Sequence, residues 1–444
     1  MLKTLTREQK EAVGLLQIGT FLEYFDLMLY VHMAVLLNEL FFPQTDPHTA
    51  SLMTAFAFCS TYVLRPFGSL IFGYIGDRIG RKSTVIITTA IMSVSCLVMA
   101  NVPTYAQIGI AATWLVTGCR IIQGMSSMGE IVGAKIYITE ITTPPIQYAL
   151  VSFIVLSASI GAMCALGVAS LVTHLGFNWR IAFWAGATIA VIGSLARTRL
   201  RETPEFADYK RKKIREIENR IKNTEQKKIF IEKTNLSAKK GKTPLKNMIA
   251  FFCIECSYPL VFYMIFIYFN PILKGLGYTS PDIIFHNFIL SGVSVFLNAL
   301  VIWLVTRFHP LLILNVRAWL AVGMFIIMPI YLSMHVSYTH ILLIQILLCI
   351  TQGGCNPGEP LIIKRIHIGN RFTFTSFNYA LSRALMHIIS AFGLVYLTEW
   401  MGYYGIWFIG VPVSLAYLWA IHYYKNLETQ KDPQFQACYK ESFS

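Results

Sequence analysis

Twelve apolar stretches, each long enough to cross a bilayer, stand six on either side of one basic loop at the middle of this 444-residue chain. A helix needs about 20 mostly apolar residues to span the hydrocarbon core. Spans are expected at about 14–41, 49–74, 83–102, 106–138, 147–173, 181–199, 246–273, 281–306, 310–331, 339–363, 373–398 and 403–424. The runs are continuous rather than alternating, which argues against a transmembrane barrel. Only 14% of residues are charged, against about 25% in soluble domains. The expected fold class is an all-α polytopic membrane protein: twelve transmembrane helices in two pseudosymmetric six-helix bundles, with a solute site near the midplane between them.

The location of the charge decides its meaning. The net charge is +14, and residues 197–246 carry 17 Lys/Arg against 7 Asp/Glu, a net of +10. Smaller positive clusters mark alternate connections: Arg78, Arg81 and Lys82; Arg307 and Arg317; Lys364, Arg365 and Arg371. The opposite connections near 42–48, 101–105, 332–340 and 399–402 hold no Lys or Arg, and only Arg180 and Lys274 lie on or near that side. Positive-inside logic puts both termini and the central loop in the cytoplasm. The charge thus reports topology: nucleic acid is not an expected partner, whereas anionic membrane lipids and a small-molecule substrate are. The expected organisation is a bundle over 1–200, a basic loop over 201–245, a bundle over 246–424 and a short tail over 425–444. Tyr209–Lys233 alternates charge signs and reads either as a solvated helix on the membrane face or as disorder. Met1–Glu11 is polar and no small-residue cleavage site follows, so the first span is expected to stay in the membrane. The Cys253-x-x-Cys256 pair lies in an apolar helix and reads as packing rather than as a metal or redox site. No metal or other cofactor is expected.

Ionisable groups inside membrane spans are costly and are functional by default. Glu23 and Asp26, three residues apart, can face the interior from one side of the first helix; Arg120, Glu130 and Lys135 lie on the fourth. A carboxylate that trades between an arginine and a proton is a workable coupling device. The competing reading is a set of structural ion pairs. Between spans two and three, Gly73-Tyr74-Ile75-Gly76-Asp77-Arg78-Ile79-Gly80-Arg81-Lys82 permits a tight turn and close helix approach. Asp77 can cap the third span or pair with an arginine, which suits a gate; a plain positive-inside anchor is the alternative. Span ten contains Gly353, Gly354, Pro357, Gly358 and Pro360, which cannot form a regular helix. It reads as a flexible gating segment or a kink, with Glu359 expected near the cytoplasmic end.

The decapeptide at 73–82 resembles the loop signature of the major facilitator superfamily, G-x-x-x-D-R-x-G-R-K. Gly19–Asp26, Arg120–Gly124 with Gly129-Glu130, Asn178–Ile181 and Arg201–Phe206 resemble segments of the metabolite:proton symporters. Phe262–Met264, Pro271 and Phe377-Asn378 are similar to segments of proline/betaine transporters, although the likeness is stronger in the first half. The resemblance implies alternating access and proton-coupled import of an osmolyte such as proline or glycine betaine, with no enzymatic activity, in a bacterial inner membrane. It implies proton-coupling or substrate roles for Glu23, Asp26, Arg120 and Glu130, and a gating loop at Gly73, Asp77, Arg78, Gly80 and Arg81. Two departures open alternatives. The second-half loop, Thr306-Arg307-Phe308-His309-Pro310, lacks the acidic residue and the glycine, so an asymmetric gate or an uncoupled facilitator or exchanger is the first alternative. Lys135, Glu255 and Arg383 stand where neutral residues are expected; Lys135 and Arg383 suit contacts to an anion, as in an organic-acid symporter, unless Lys135 pairs with Glu255. A drug antiporter is disfavoured because the fifth span, Ser157–Met163, lacks a proline. A membrane sensor would need a partner domain that only the central loop could supply. The sequence leaves the substrate and the oligomeric state open.

Overall fold

The computed structural model describes residues 5–41, 62–175, 178–222, 244–334 and 337–431. Helix α1 (Arg7–Phe41) opens with a capping box: Gln9 N donates to Thr6 Oγ1 at 3.2 Å and Thr6 N donates to Gln9 Oε1 at 2.9 Å. The helix therefore starts a full turn or more before the apolar run. The second expected span lies outside the described residues up to position 61; its described part is α2 (Arg65–Arg78). Then follow α3 (Arg81–Asn101), α4 (Ile110–Ser127) running through a wide turn at Met128–Val132 into α5 (Gly133–Ile141), α6 (Ile146–Leu175) and α7 (Arg180–Arg197). Helix α8 (Pro204–Lys222) takes up the start of the basic loop as a helix with Lys210, Arg211, Lys212, Lys213 and Arg215 exposed; the rest of the charge-alternating stretch, 223–233, lies outside the described residues.

The second half comprises α9 (Leu245–Tyr263), α10 (Ser280–Val305), α11 (Pro310–Met334), α12 (Tyr338–Thr351), α13 (Glu359–Ile363), α14 (Arg371–Ile388) continuing through a wide turn into α15 (Leu394–Met401), and α16 (Trp407–Lys431). Helix α16 outruns the expected span, which stops at 424. The Arg365–Glu428 ion pair holds its last turns. Seven described segments are long and apolar enough to cross a membrane, and one of them, Ile368–Gln430, has the length of two spans. The fourth-span helices fall short on composition for a physical reason: Arg120, Glu130, Lys135 and Glu140 all point inward and are buried. The tenth falls short on length because it breaks at 352–358.

Helix packing brings the halves together twice. Within the first half, α1 packs on α6 and α3 on α7; within the second, α9 packs on α14 and α16, and α11 on α16. Between the halves, α6 lies on α10 and α2 on α14. These are the fifth span on the eighth and the second on the eleventh. A twofold operation that carries span n to span n + 6 exchanges those two contacts, as a repeat-built membrane protein requires. Each half has its own apolar core, around Leu29, Met99 and Phe183 in the first and around Leu260, Phe325 and Leu348 in the second. A further cluster joins them at the loop face, where Phe372, Tyr379 and Ile363 pack with Val85, Val132 and Ile138.

Candidate functional site

Charged residues collect in three places: the first-half interior, the cavity between the halves, and the face that carries the central loop. In the interior, Arg120 Nη1 donates to Asp26 Oδ2 at 3.2 Å and to Gln123 Oε1 at 2.8 Å, and its guanidinium lies 4.0 Å over the Tyr30 ring. Cys96 Sγ donates to Asp26 Oδ1 at 3.4 Å. Glu130 sits in the wide turn of the fourth span, a local widening often found at functional positions. It accepts from Thr88 Oγ1 at 3.1 Å and pairs with Arg197. Glu23 is 2% exposed, and its Oε2 has no hydrogen-bond partner among the described residues. The structure thus separates Glu23, Asp26 and Glu130 into three environments: one bare oxygen and two arginine pairs.

Between the halves lies a cavity of about 100 Å³. Its charged walls come from both sides. Lys135 Nζ is 2.7 Å from Glu359 Oε2, an ion pair that joins α5 to α13 across the halves. Arg383 Nη1 donates to Glu255 Oε2 at 2.7 Å. Tyr24 and Tyr379 hydroxyls, one from each half, are 3.3 Å apart. Lys135 therefore pairs with Glu359 and not with Glu255. Glu359 does lie at a helix start, but its carboxylate turns inward, 1% exposed, rather than toward the loop-side surface.

The break in the tenth span lines this cavity through Gln352, Gly353, Gly354, Cys355 and Asn356. Backbone freed from a helix in a membrane must find other partners. Here Gly354 N donates to Ser257 Oγ at 2.8 Å, Tyr417 Oη donates to Gly354 O at 3.2 Å, and Arg317 Nη1 donates to Asn356 O at 3.1 Å. Ser152 Oγ, from the other half, donates to Asn356 Oδ1 at 2.7 Å. A cysteine at Asn356 is accordingly expected to lose reactivity toward a thiol reagent when substrate is bound; equal reactivity with and without substrate would remove Asn356 from the cavity wall.

At the loop face, Asp77 does not cap its own neighbour α3. Its Oδ1 accepts from Phe372 N at 3.0 Å and its Oδ2 from Thr373 N at 2.9 Å and Thr373 Oγ1 at 2.7 Å. It caps α14 from across the molecule, where the helix's own preceding residue, Asn370, supplies no side-chain cap. Arg81 Nη1 is 3.0 Å from Asp77, and Arg81 Nη2 donates to Glu140 at 3.1 Å and to Ile368 O at 2.9 Å. Arg371 adds 3.0 Å bonds to Glu140 and Glu205. Glu202, outside the spans, accepts from Arg81 N at 3.1 Å; burial raises its carboxyl above the ordinary value. These bonds latch the halves shut on this face. A Cβ on Gly73 would lie 2.7 Å from Thr373 Cα, so that glycine is needed for close approach, whereas at Gly80 the nearest atoms belong to the movable Glu202 carboxylate and the φ of 155° is what favours glycine. Arg78 stands apart: it is exposed, stacks 5.5 Å over Tyr74 and makes no salt bridge among the described residues. Gly73→Ala is expected to part α2 from α14 and raise the thiol-reagent reactivity of a cysteine placed at Ser376; unchanged reactivity would contradict the close approach.

The equivalent second-half connection closes differently. Tyr148 and His309 rings lie 6.3 Å apart, and Tyr148, Ala149, Val305 and Ile313 form a small apolar cluster. Among the described residues, the contacts are therefore ionic on one side of the pseudo-twofold axis, and a ring pair with an apolar cluster is described on the other. Two arginines that the charge pattern placed in connections belong to the interior instead. Arg197 is 0% exposed and holds Glu130; Arg317, two turns into α11, is 6% exposed and lines the cavity. Sequence reasoning named Glu359 without giving it a partner, and passed over the Arg65–His387 neighbourhood that lines a smaller pocket.

Residues 16–385 match the Major Facilitator Superfamily model. Over 198 residues the chain is 39% identical to the inner membrane metabolite transport protein YhjE of Escherichia coli, covering 43% of this chain and 45% of that one. It is 32% identical over 207 residues to the proline/betaine transporter of Salmonella typhimurium, covering 45% and 41%, and 37% identical over 212 residues to the citrate-proton symporter of Salmonella typhi, covering 45% and 48%. The matches thus span less than half the length of these relatives. The proton:xylose symporter XylE superposes with a TM-score of 0.72 at 15% identity, over 92% of this chain and 94% of that one. Twelve-helix topology, paired charges inside the spans and a family match across most of the length converge: the chain belongs to the Major Facilitator Superfamily.

Proposed function

We propose that the protein is a proton-coupled symporter that imports a small carboxylate-bearing solute across the bacterial inner membrane by alternating access. In this reading both termini and the central loop are cytoplasmic, the bundles are the 1–200 and 246–424 segments, and α8 lies against anionic lipid headgroups through its exposed Lys and Arg side chains. The observation that carries it is a charged cavity shared by both halves beside an ionic latch that shuts one face. The proton has three candidate sites in the first half. Glu23 offers an oxygen with no donor, and Asp26 and Glu130 can each trade an arginine for a proton. Proline, betaine and citrate, the solutes that the relatives' names carry, share a carboxylate.

The test is uptake into proteoliposomes of labelled proline, betaine and citrate under an imposed inward proton gradient. Gradient-driven accumulation that a protonophore abolishes is the expected result, with Glu23→Gln losing the gradient dependence. Uptake at the same rate and to the same level without a gradient would replace symport by facilitated diffusion.

A further inference from the structure

Five charged side chains line the central cavity, and their sum is not zero. Lys135 is paired with Glu359 and Arg383 with Glu255, each at 2.7 Å. Arg317 is left over. It is buried, its Nη1 donates to the Asn356 carbonyl at 3.1 Å, and no Asp or Glu among the described residues lies within ion-pair distance of it. A guanidinium held away from water without a counter-charge is strongly disfavoured. It sits beside the broken tenth span, where the Asn356 carbonyl accepts its hydrogen bond and supplies partial negative charge.

We infer that the cavity is a monoanion site that takes a small monocarboxylate, with Arg317 supplying the uncompensated positive charge. One carboxylate brings the cavity to neutrality, and a guanidinium can receive it with two parallel hydrogen bonds. A zwitterion would leave the excess charge in place. A quaternary ammonium meets a second obstacle. Resident cations already lie over two of the five aromatic rings that line the cavity, Tyr379 and Tyr258, leaving Tyr24, Phe262 and Phe266: Arg383 Cζ lies 3.2 Å from the Tyr379 ring centre and 5.1 Å from that of Tyr258, and Lys135 Nζ lies 5.4 Å from that of Tyr379. The remaining wall is mixed: Met28, Val155, Val261 and Ile265 suit the hydrocarbon body of such an acid, and Ser159, Ser291, Ser294 and Asn298 add polar groups. Among carboxylate-bearing solutes, this selects simple acids over betaine and proline. The inference rests on the reading that the cavity is the transport site.

The experiment measures calorimetric binding of hexanoate, benzoate, proline and glycine betaine to the purified full-length protein, then gradient-driven uptake of the same four in proteoliposomes. Both monocarboxylates are expected to bind at least tenfold more tightly than betaine. Arg317→Gln should weaken them at least tenfold, with Arg317→Lys between. Should Arg317→Gln fail to fold, the wild-type panel and the lysine variant still decide. Absence of monocarboxylate binding, or betaine binding as tight, overturns the anion site. Gradient-driven uptake of betaine or proline with no monocarboxylate binding overturns it while leaving symport intact. Arg317-dependent monocarboxylate binding with uptake indifferent to the gradient upholds the site and overturns symport.

Discussion

Replacing Arg197 by methionine is expected to cost about 3–5 kcal/mol of stability, the usual consequence of stripping one partner from a buried ion pair. Arg197 is completely buried and ties four helices together. Its Nη1 pairs with Glu130 and donates to Thr89 on α3, its Nε donates to Leu15 O at 3.2 Å, and its Nη2 donates to Leu16 O at 3.3 Å. Methionine fills similar space but leaves the Glu130 carboxylate uncompensated in a dry interior. The melting temperature in detergent should fall by on the order of 10 °C. The Arg197→Met, Glu130→Leu double variant removes both charges and should recover much of that loss, since well-packed apolar residues replace buried pairs at little cost. If the pair is part of the proton-coupling machinery, the stable double variant still fails to concentrate solute under a proton gradient. A double variant that both melts and transports like the wild type would reduce the pair to a structural tie. An Arg197→Met variant with an unshifted melting curve would show that Glu130 has another counter-charge.

The second large effect concerns the latch. Asp77→Ala removes an acceptor of four hydrogen bonds that hold Arg81 and the start of α14. Hydrogen bonds to charged groups are worth about 1.5–3 kcal/mol each when judged singly, and a missing N-cap about 1 kcal/mol. They share one carboxylate and are not additive, so about 3 kcal/mol is the reasonable total. That is a shift of roughly 100-fold in the balance between states closed and open on the loop face. Spin labels at the exposed positions Ile79 and Lys364, one in each half, would report it. The distance distribution should move from a short population in the wild type to a long one in Asp77→Ala, with uptake reduced. Overlapping distributions would mean that apolar contacts such as Phe372 against Val132 hold this face without Asp77. Arg78→Ala is the matched control, because its side chain faces away from the network.

Much of the architecture was legible because membrane solvation is strict: apolar length sets a span, and a charge within one must find a partner or a wet site. The twelve spans and the inward-facing fourth span follow from that rule, and the break at 352–358 follows from its glycines and prolines. The first-half acids Glu23, Asp26 and Glu130, Arg120 beside them, and the 73–82 turn stood out for the same reason. The pairing did not. Asp77 capping α14 joins residues almost 300 positions apart, and no helical periodicity encodes a contact between halves. Lys135 meets Glu359 rather than Glu255 because the broken helix turns one carboxylate inward. Arg197 and Arg317 were misplaced in loops because a cation near the end of an apolar run looks the same whether it anchors the membrane surface or folds back into the core.

By itself, then, the sequence determined the solvent in which the chain folds, the number of spans and the face bearing positive charge, since each depends on local composition over about 20 residues. Only the tertiary structure decided which carboxylate holds which cation, that the Asp77–Arg81–Glu140–Arg371 network ties the halves on the loop face, and that Arg317 faces the cavity with no counter-charge among the described residues. Those outcomes depend on how helices from two halves meet, and in a dry interior the position of one partner decides whether a charge is satisfied or waiting for a ligand.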